Sequence, residues 1–142
     1  TLHNMAQIGV GVSAISDFGD SYWQNPKELD QYMEETTNNK LIPRRGLLLE
    51  KEDQLRRKVI ETLMCHGEIT IPDFEDLYEI DFRQHFAEAW IQLEQFEEEG
   101  LVNLSPAKIE LTPIGMLFTR NLAIPFDRHL KAGGSPKFSN TV

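Results

Sequence analysis

The chain has one cysteine, Cys65, among 142 residues. One thiol excludes an internal disulfide framework and points to a reducing compartment. No apolar run approaches the roughly 18 residues that a bilayer span needs. No basic stretch leads into an apolar one, so no secretory signal is expected. A cytoplasmic location, with no membrane, is the resulting expectation. The four histidines, His3, His66, His85 and His129, are scattered. A metal site needs three or four converging ligands, so no metal is expected in this chain. No Ser/His/Asp order and no phosphate-binding loop stands out. No internal repeat is present. The chain begins at Thr1, not Met, which suggests a piece of something longer.

Basic residues are missing from one long segment. Of 23 acidic and 14 basic residues, Glu61–Glu99 holds twelve acids and one base, Arg83. Such a face repels phosphate backbones and anionic lipid. Otherwise the composition is ordinary for a globular protein, with 40% hydrophobic and 26% charged residues.

Periodicity assigns most of the elements. Ile8–Val12 is a short apolar run with two glycines, which suits a buried strand edge closely approached by a backbone or a ligand. Gly19-Asp20 marks a turn before Tyr22-Trp23. Pro26 to Thr36 reads as a helix, and Asn38-Asn39 with Pro43 breaks it. Lys51 to Cys65 reads as a second helix with the stripe Leu55, Val59, Ile60, Leu63 and Met64, ended by Gly67. Ile69 and Ile71 suggest a very short strand, and Pro72 opens a short helix.

Asp81 is the expected N-cap of a helix running to Glu99, with Gly100 as its stop. Leu101–Leu104 and Lys108–Leu111 form a hairpin through Ser105-Pro106-Ala107. Thr112 caps a final helix towards Leu130, which Pro125 should kink. Ala132 to Val142 reads as a flexible tail. The expected class is mainly α with a small β hairpin (α+β), in winged-helix order.

That order raises DNA binding, with Asp81–Glu99 as the recognition helix. Its exposed residues are glutamates against Arg83 alone, so no nucleic acid partner is expected. Cys65-His66 reads as a thiol and a surface histidine. The arginines Arg44, Arg45, Arg56, Arg57 and Arg120 lie outside the acidic run or at its edge. Most should be solvated or ion-paired. One or two could meet an anionic ligand, since the guanidinium fork matches a carboxylate. Arg56 and Arg57 are about 100° apart on a helix, so one of them must lie near the buried stripe.

Several strings carry a resemblance. GVSAIS followed by GDxYxQN, RRGLLLEKEDQLRRKVIETLMC, IDFRQHFAE and GLVNLSPAKIELTPIGMLFTRNLAIPFD occur in that order. Together they resemble the C-terminal portion of the oxygen-independent coproporphyrinogen III oxidases, a radical S-adenosylmethionine family of haem biosynthesis. Haem-chaperone paralogues usually differ at GVSAIS, which favours the dehydrogenase branch.

The resemblance implies a parent that oxidatively decarboxylates two propionates of coproporphyrinogen III, giving protoporphyrinogen IX. That parent would use a 4Fe–4S cluster and S-adenosylmethionine in an incomplete α/β barrel. This chain lacks CxxxCxxC, so no catalytic residue and no cofactor of its own are expected in the fragment, which should be inactive alone. Residues 1–25 would end the barrel, with Ile8–Ser16 as its last strand. Residues 26–131 would form a helical, winged-helix-like domain, and 132–142 a tail. Ile15, with Ala14 beside it, matches the family's apolar contact to S-adenosylmethionine. Substrate-binding candidates are Arg44, Arg45, Arg56, Arg57 and Arg120. The implied partners are the parent's own N-terminal barrel and coproporphyrinogen III, in a monomer. The alternative is a winged-helix protein-interaction module without catalytic activity.

Overall fold

A computed structural model describes residues 6–40 and 45–131. Arg44, Thr1–Asn4 and the 132–142 tail lie outside the described residues. The chain parts into two units, residues 1–54 and 55–142.

The first unit is built on a three-stranded antiparallel sheet of β1 (Ile15–Asp17), β2 (Ser21–Gln24) and β3 (Arg45–Leu48), in that order. The turn read at Gly19-Asp20 joins β1 to β2. Gly19 N–H donates to Asp17 Oδ1 at 2.9 Å, and Phe18 N–H donates to Ser21 O at 3.0 Å. Helix α1 (Leu29–Thr37) starts three residues after Pro26 and buries no side chain.

Ile8–Ala14 is not the expected strand. Ile8 and Val10 are exposed, and the chain turns at Gly11 (φ 110°) and Ser13 (φ 58°). Among the described residues before Ile15, Gln7 alone bridges β1, at Asp17. Strand pairing therefore begins at Ile15. The loop's polar groups are satisfied by side chains and loops instead of a ladder. Asn25 Nδ2 donates to Gly9 O (3.1 Å) and Gly11 O (3.0 Å). Gly9 N–H donates to Ser16 Oγ, Gly11 N–H to Tyr32 Oη, and Ser13 N–H to Pro26 O. The close approach expected of the glycines holds at Gly9, where a Cβ would lie 2.5 Å from Ile15 O.

The second unit carries the main core. Helix α2 (Lys51–His66) buries Leu55, Val59 and Leu63 at four-residue spacing, while Met64 stays exposed. Strand β4 (Glu68–Thr70) leads into α3 (Ile71–Tyr78). Strands β5 (Val102–Leu104) and β6 (Lys108–Leu111) form the expected hairpin, and β4 pairs with β6, so the sheet order is β4-β6-β5. The result is a mixture of helices and two small antiparallel sheets: the short strand expected at Ile69 is β4, with Ile71 already in α3, and the three-stranded sheet of the first unit was not expected.

Two long helices expected from periodicity are broken. Asp81 caps as expected, accepting from Gln84 N–H at 2.8 Å. The helix it opens is α4 (Phe82–His85), and α5 (Ala87–Glu98) follows after Phe86, whose φ of −105° and ψ of 32° leave the helical basin. Phe82 and Phe86 meet at 4.7 Å between ring centroids, and Phe86 meets Phe126 edge-on at 5.4 Å. The apolar spacing continues through the break, because both sides face one aromatic core.

The C-terminal stretch is four short pieces, not one kinked helix. These are 3-10 turns at Gly115–Phe118 and Ile124–Phe126, α6 (Thr119–Ala123) and α7 (Arg128–Lys131). Thr112 does cap the start, its Oγ1 accepting from Gly115 N–H at 3.0 Å. Asp127 Oδ1 accepts from His129 N–H at 2.8 Å and restarts the chain as α7.

Candidate functional site

Side chains directly opposite one another in an antiparallel sheet share a face. In the first unit Ile15 pairs with Gln24, and Gln24 with Arg45. The next same-face row is Asp17, Tyr22 and Leu47. The opposite face carries Ser16, Trp23 and Gly46 in one row, and the glycine loop reaches that face through the Gly9–Ser16 hydrogen bond.

The Ile15 face is open. It forms a cleft of about 330 Å³ lined by Ile15, Tyr22, Gln24, Arg45 and Leu47, with Trp23 and Gly46 between them. Ile15 is 54% exposed and Leu47 60%. Ile15 and Leu47 thus place two apolar side chains on the same side of the sheet. Gln24 Nε2 donates to Ser13 O at 3.1 Å, which holds the middle of the row in place. Ala14 is half-buried, and its carbonyl accepts from Asn25 N–H at 2.9 Å. The backbone of the Ala14-Ile15 pair is thus pinned while the Ile15 side chain stands free.

The five arginines separate. Arg45 sits in this cleft, exposed, and its guanidinium makes no hydrogen bond or ion pair among the described residues. Arg44 lies outside the described residues. Arg56 and Arg57 are both half-buried in the second unit. Arg56 Nη1 donates to Phe126 O at 3.1 Å, and its guanidinium lies 5.1 Å from the Phe86 ring centroid. It is the member of the pair beside the core. Arg57 Nε pairs with Glu61 Oε1 at 2.7 Å, one turn along α2. Arg120 is exposed on α6 and makes no ion pair among the described residues. Among the described candidates, Ile15 and Arg45 are brought together in one cleft.

A second cleft, of about 350 Å³, lies wholly in the second unit. Its polar lining is Arg56, Gln84, His85 and Glu88. Arg56 is already committed there to Phe126 O, and His85 packs edge-on against Phe86 at 4.8 Å. The sequence reading missed Tyr22, Gln24 and Leu47 as lining residues. Alternation across Tyr22-Trp23-Gln24 was available as a strand signal. The pairing of that strand with residues 45–48 was not readable from spacing. Among the described residues no group of three or more His, Cys, Asp or Glu side chains could hold a metal. Among them also, no helix is long and apolar enough to cross a membrane.

Residues 49–118 match the HemN C-terminal domain family. The chain is 41% identical over 135 residues to an oxygen-independent coproporphyrinogen III oxidase of Pseudomonas aeruginosa, taking in 95% of this chain and 29% of that protein. A Helicobacter pylori protein of the same name is 36% identical over 135 residues, with the same shares of the two chains. The solved structure described as "Coproporphyrinogen III oxidase (HemN) from Escherichia coli is a Radical SAM enzyme" superposes with a TM-score of 0.82 at 35% identity. It covers 88% of this chain and 29% of that one. The chain therefore spans less than a third of the length of these relatives.

Proposed function

Because this chain belongs to the oxygen-independent coproporphyrinogen III oxidase family, we propose that it forms the C-terminal, substrate-covering part of such an enzyme. In the parent, two propionate side chains of coproporphyrinogen III become vinyl groups, each losing carbon dioxide, a proton and two electrons. A 4Fe–4S cluster and S-adenosylmethionine, when bound, supply the one-electron chemistry. The single Cys65 cannot ligate a cluster, which needs several thiolates. The cluster then belongs to a preceding barrel in the parent, this domain's partner.

The observation that carries the reading is the shared cleft of Ile15 and Arg45. Ile15 is the residue matched to the family's S-adenosylmethionine contact, and it projects from a pinned backbone into open space. That fits an apolar wall against a cofactor, with Ala14 as its anchor. Arg45 offers a cation to a tetracarboxylate substrate, and Arg44 and Arg120 remain candidates for further carboxylates. Arg56 and Arg57 fit structural roles better. In this reading residues 1–25 close the barrel, 26–131 cover the site, and 132–142 form a tail. The second unit's order, helix, strand, helix, helix, hairpin, with β4 on β6, supports a winged-helix-like description. Its acidic α5 does not favour nucleic acid.

Ile15→Ser in the full-length, anaerobically reconstituted enzyme tests the proposal. Turnover and cofactor affinity should fall, because water gains access to a site that must exclude it. The melting temperature should barely move, since Ile15 is more than half exposed. Wild-type turnover and cofactor affinity would reject the assignment.

A further inference from the structure

The row Ile15–Gln24–Arg45 has a fixed length. The backbones of its members are joined by register, Ile15 to Gln24 and Gln24 to Arg45, and the Arg45 side chain extends from the far end of the row. Adjacent strands lie about 4.8 Å apart, so two spacings set the backbones of Ile15 and Arg45 about 10 Å apart. Resting on the reading of this face given above, we propose that Arg45 is a positioning and specificity residue. It holds one carboxylate arm of the substrate at the opposite end of this row from the cofactor wall at Ile15.

Four features carry this. Arg45 has no ion-pair partner among the described residues, in a chain of net charge −9 where intramolecular partners abound. An arginine left unpaired amid such an excess of carboxylates is free for an external one, which its planar fork binds bidentately. Gln24, between the two ends, is tied to Ser13 O and carries no charge, so it offers no competing ionic anchor. The cleft's volume of about 330 Å³ is at the low end for a small-ligand site, so it accepts an edge of a macrocycle and not the whole. Ile15 and Leu47, exposed on the same face, give that edge an apolar bed.

The arm held by Arg45 is in this account one that does not react. A reacting carboxylate leaves as carbon dioxide, and a bidentate anchor would hold it back in the ground state. Tetrapyrroles that lack a carboxylate at this spacing should therefore be poor substrates, even when their reacting arms are intact.

The experiment uses the full-length reconstituted enzyme with coproporphyrinogen III. Arg45→Ala should raise KM about 10- to 100-fold, the loss of a charge-assisted contact to the carboxylate, with a smaller change in kcat. Arg45→Lys should recover part of that loss and covers the case in which the alanine variant folds poorly. Position is then separated from charge. Arg45→Ala/Gln24→Arg moves the cation one strand nearer Ile15 and is compared with Gln24→Ala, so that loss of the Gln24 side chain is common to both. The shifted variant should stay at least about tenfold lower in kcat/KM. Recovery to within twofold would show that charge alone matters and would overturn the proposal. A KM within twofold of wild type for Arg45→Ala would also overturn it. If Ile15→Ser is affected while Arg45→Ala is not, only the carboxylate anchor fails. If neither is affected, the reading of the whole face falls with it.

Discussion

Gly46 lies against the indole of Trp23. A Cβ at residue 46 would sit 2.8 Å from Trp23 Cζ3 and 3.0 Å from Cε3. The two residues are directly opposed on β2 and β3. Trp23 Nε1 donates to Ser21 Oγ at 3.2 Å, so the ring is tethered as well as confined. Gly46→Ala should therefore displace the indole or part the strands, costing about 1–3 kcal/mol of overpacking. Thermal denaturation should report the loss. Adding Trp23→Leu should return most of it, and an additive double variant would count against the contact.

Asn25 is 5% exposed and spends its amide on Gly9 O and Gly11 O. Asn25→Ala leaves both carbonyls with one partner fewer, at about 1–3 kcal/mol for the part water cannot reach. Hydrogen exchange should speed up at Ser13 and Asn25, whose N–H groups donate to Pro26 O and Ala14 O. The hairpin β5–β6 belongs to the other unit and should keep its protection. Equal loosening of both units would contradict this division.

These two contacts also mark where the sequence was readable. The GVSAIS…QN stretch was legible through its resemblance to the family, and close approach was legible at Gly9 just before it, though not at Gly11, where a Cβ would meet nothing within 4 Å. That Asn25 would serve as their acceptor-filling side chain was not, because the pair is 14 and 16 residues apart. Helix α2 was legible to within a residue of its end, since Leu55, Val59 and Leu63 repeat at its period and Gly67 stops it at φ 71°, although Met64, read into the same stripe, is exposed. The break at Phe86 was not, since a one-residue irregularity leaves the apolar spacing of Phe82, Phe86, Ala89 and Leu93 unchanged. The run Ile8–Val12 misled for a different reason. Apolar alternation signals burial only where something covers it, and here Ile8 and Val10 face out. Of the site, Ile15 and Arg45 were named singly, but they share a face only because both of their strands pair with β2, at Gln24.

Arg56 and Arg57 should behave differently despite being neighbours. Arg56 combines a charged hydrogen bond to Phe126 O with a place over the Phe86 ring. Its replacement by alanine should cost about 1–3 kcal/mol. The Arg57–Glu61 pair joins partly exposed side chains one turn apart, a geometry worth about 0.3–0.5 kcal/mol. Denaturant titration of the two alanine variants should show the Arg56 midpoint clearly lower. A larger loss at Arg57 would mean that its hydrogen bond is less screened than its exposure suggests.

The second unit should weaken at high pH and not near neutrality. Lys108 Nζ pairs with Glu68 Oε2 at 2.6 Å across β4 and β6 and approaches Glu110 Oε1 at 3.7 Å. The hydrogen bond to Glu68, ahead of the charges of both carboxylates, raises the Lys108 pKa above its usual 10.5. Tyr78 is raised above 10.0 as well, by burial first and the Glu61 charge second. A group whose folded pKa lies above its unfolded value binds its proton more tightly when folded. Its stabilisation is complete below the unfolded pKa and is lost as pH rises through the folded one. Both groups therefore place the loss above about pH 10, with no slope from either between pH 6 and 9. Lys108→Met removes one of the two, so its stability curve should fall less steeply above about pH 10 than that of the wild-type chain. Tyr78→Phe should do the same independently, since the tyrosine's perturbing charge is Glu61 and the lysine's are Glu68 and Glu110. Parallel alkaline curves for the wild-type chain and the double variant would show that neither group carries the pH dependence.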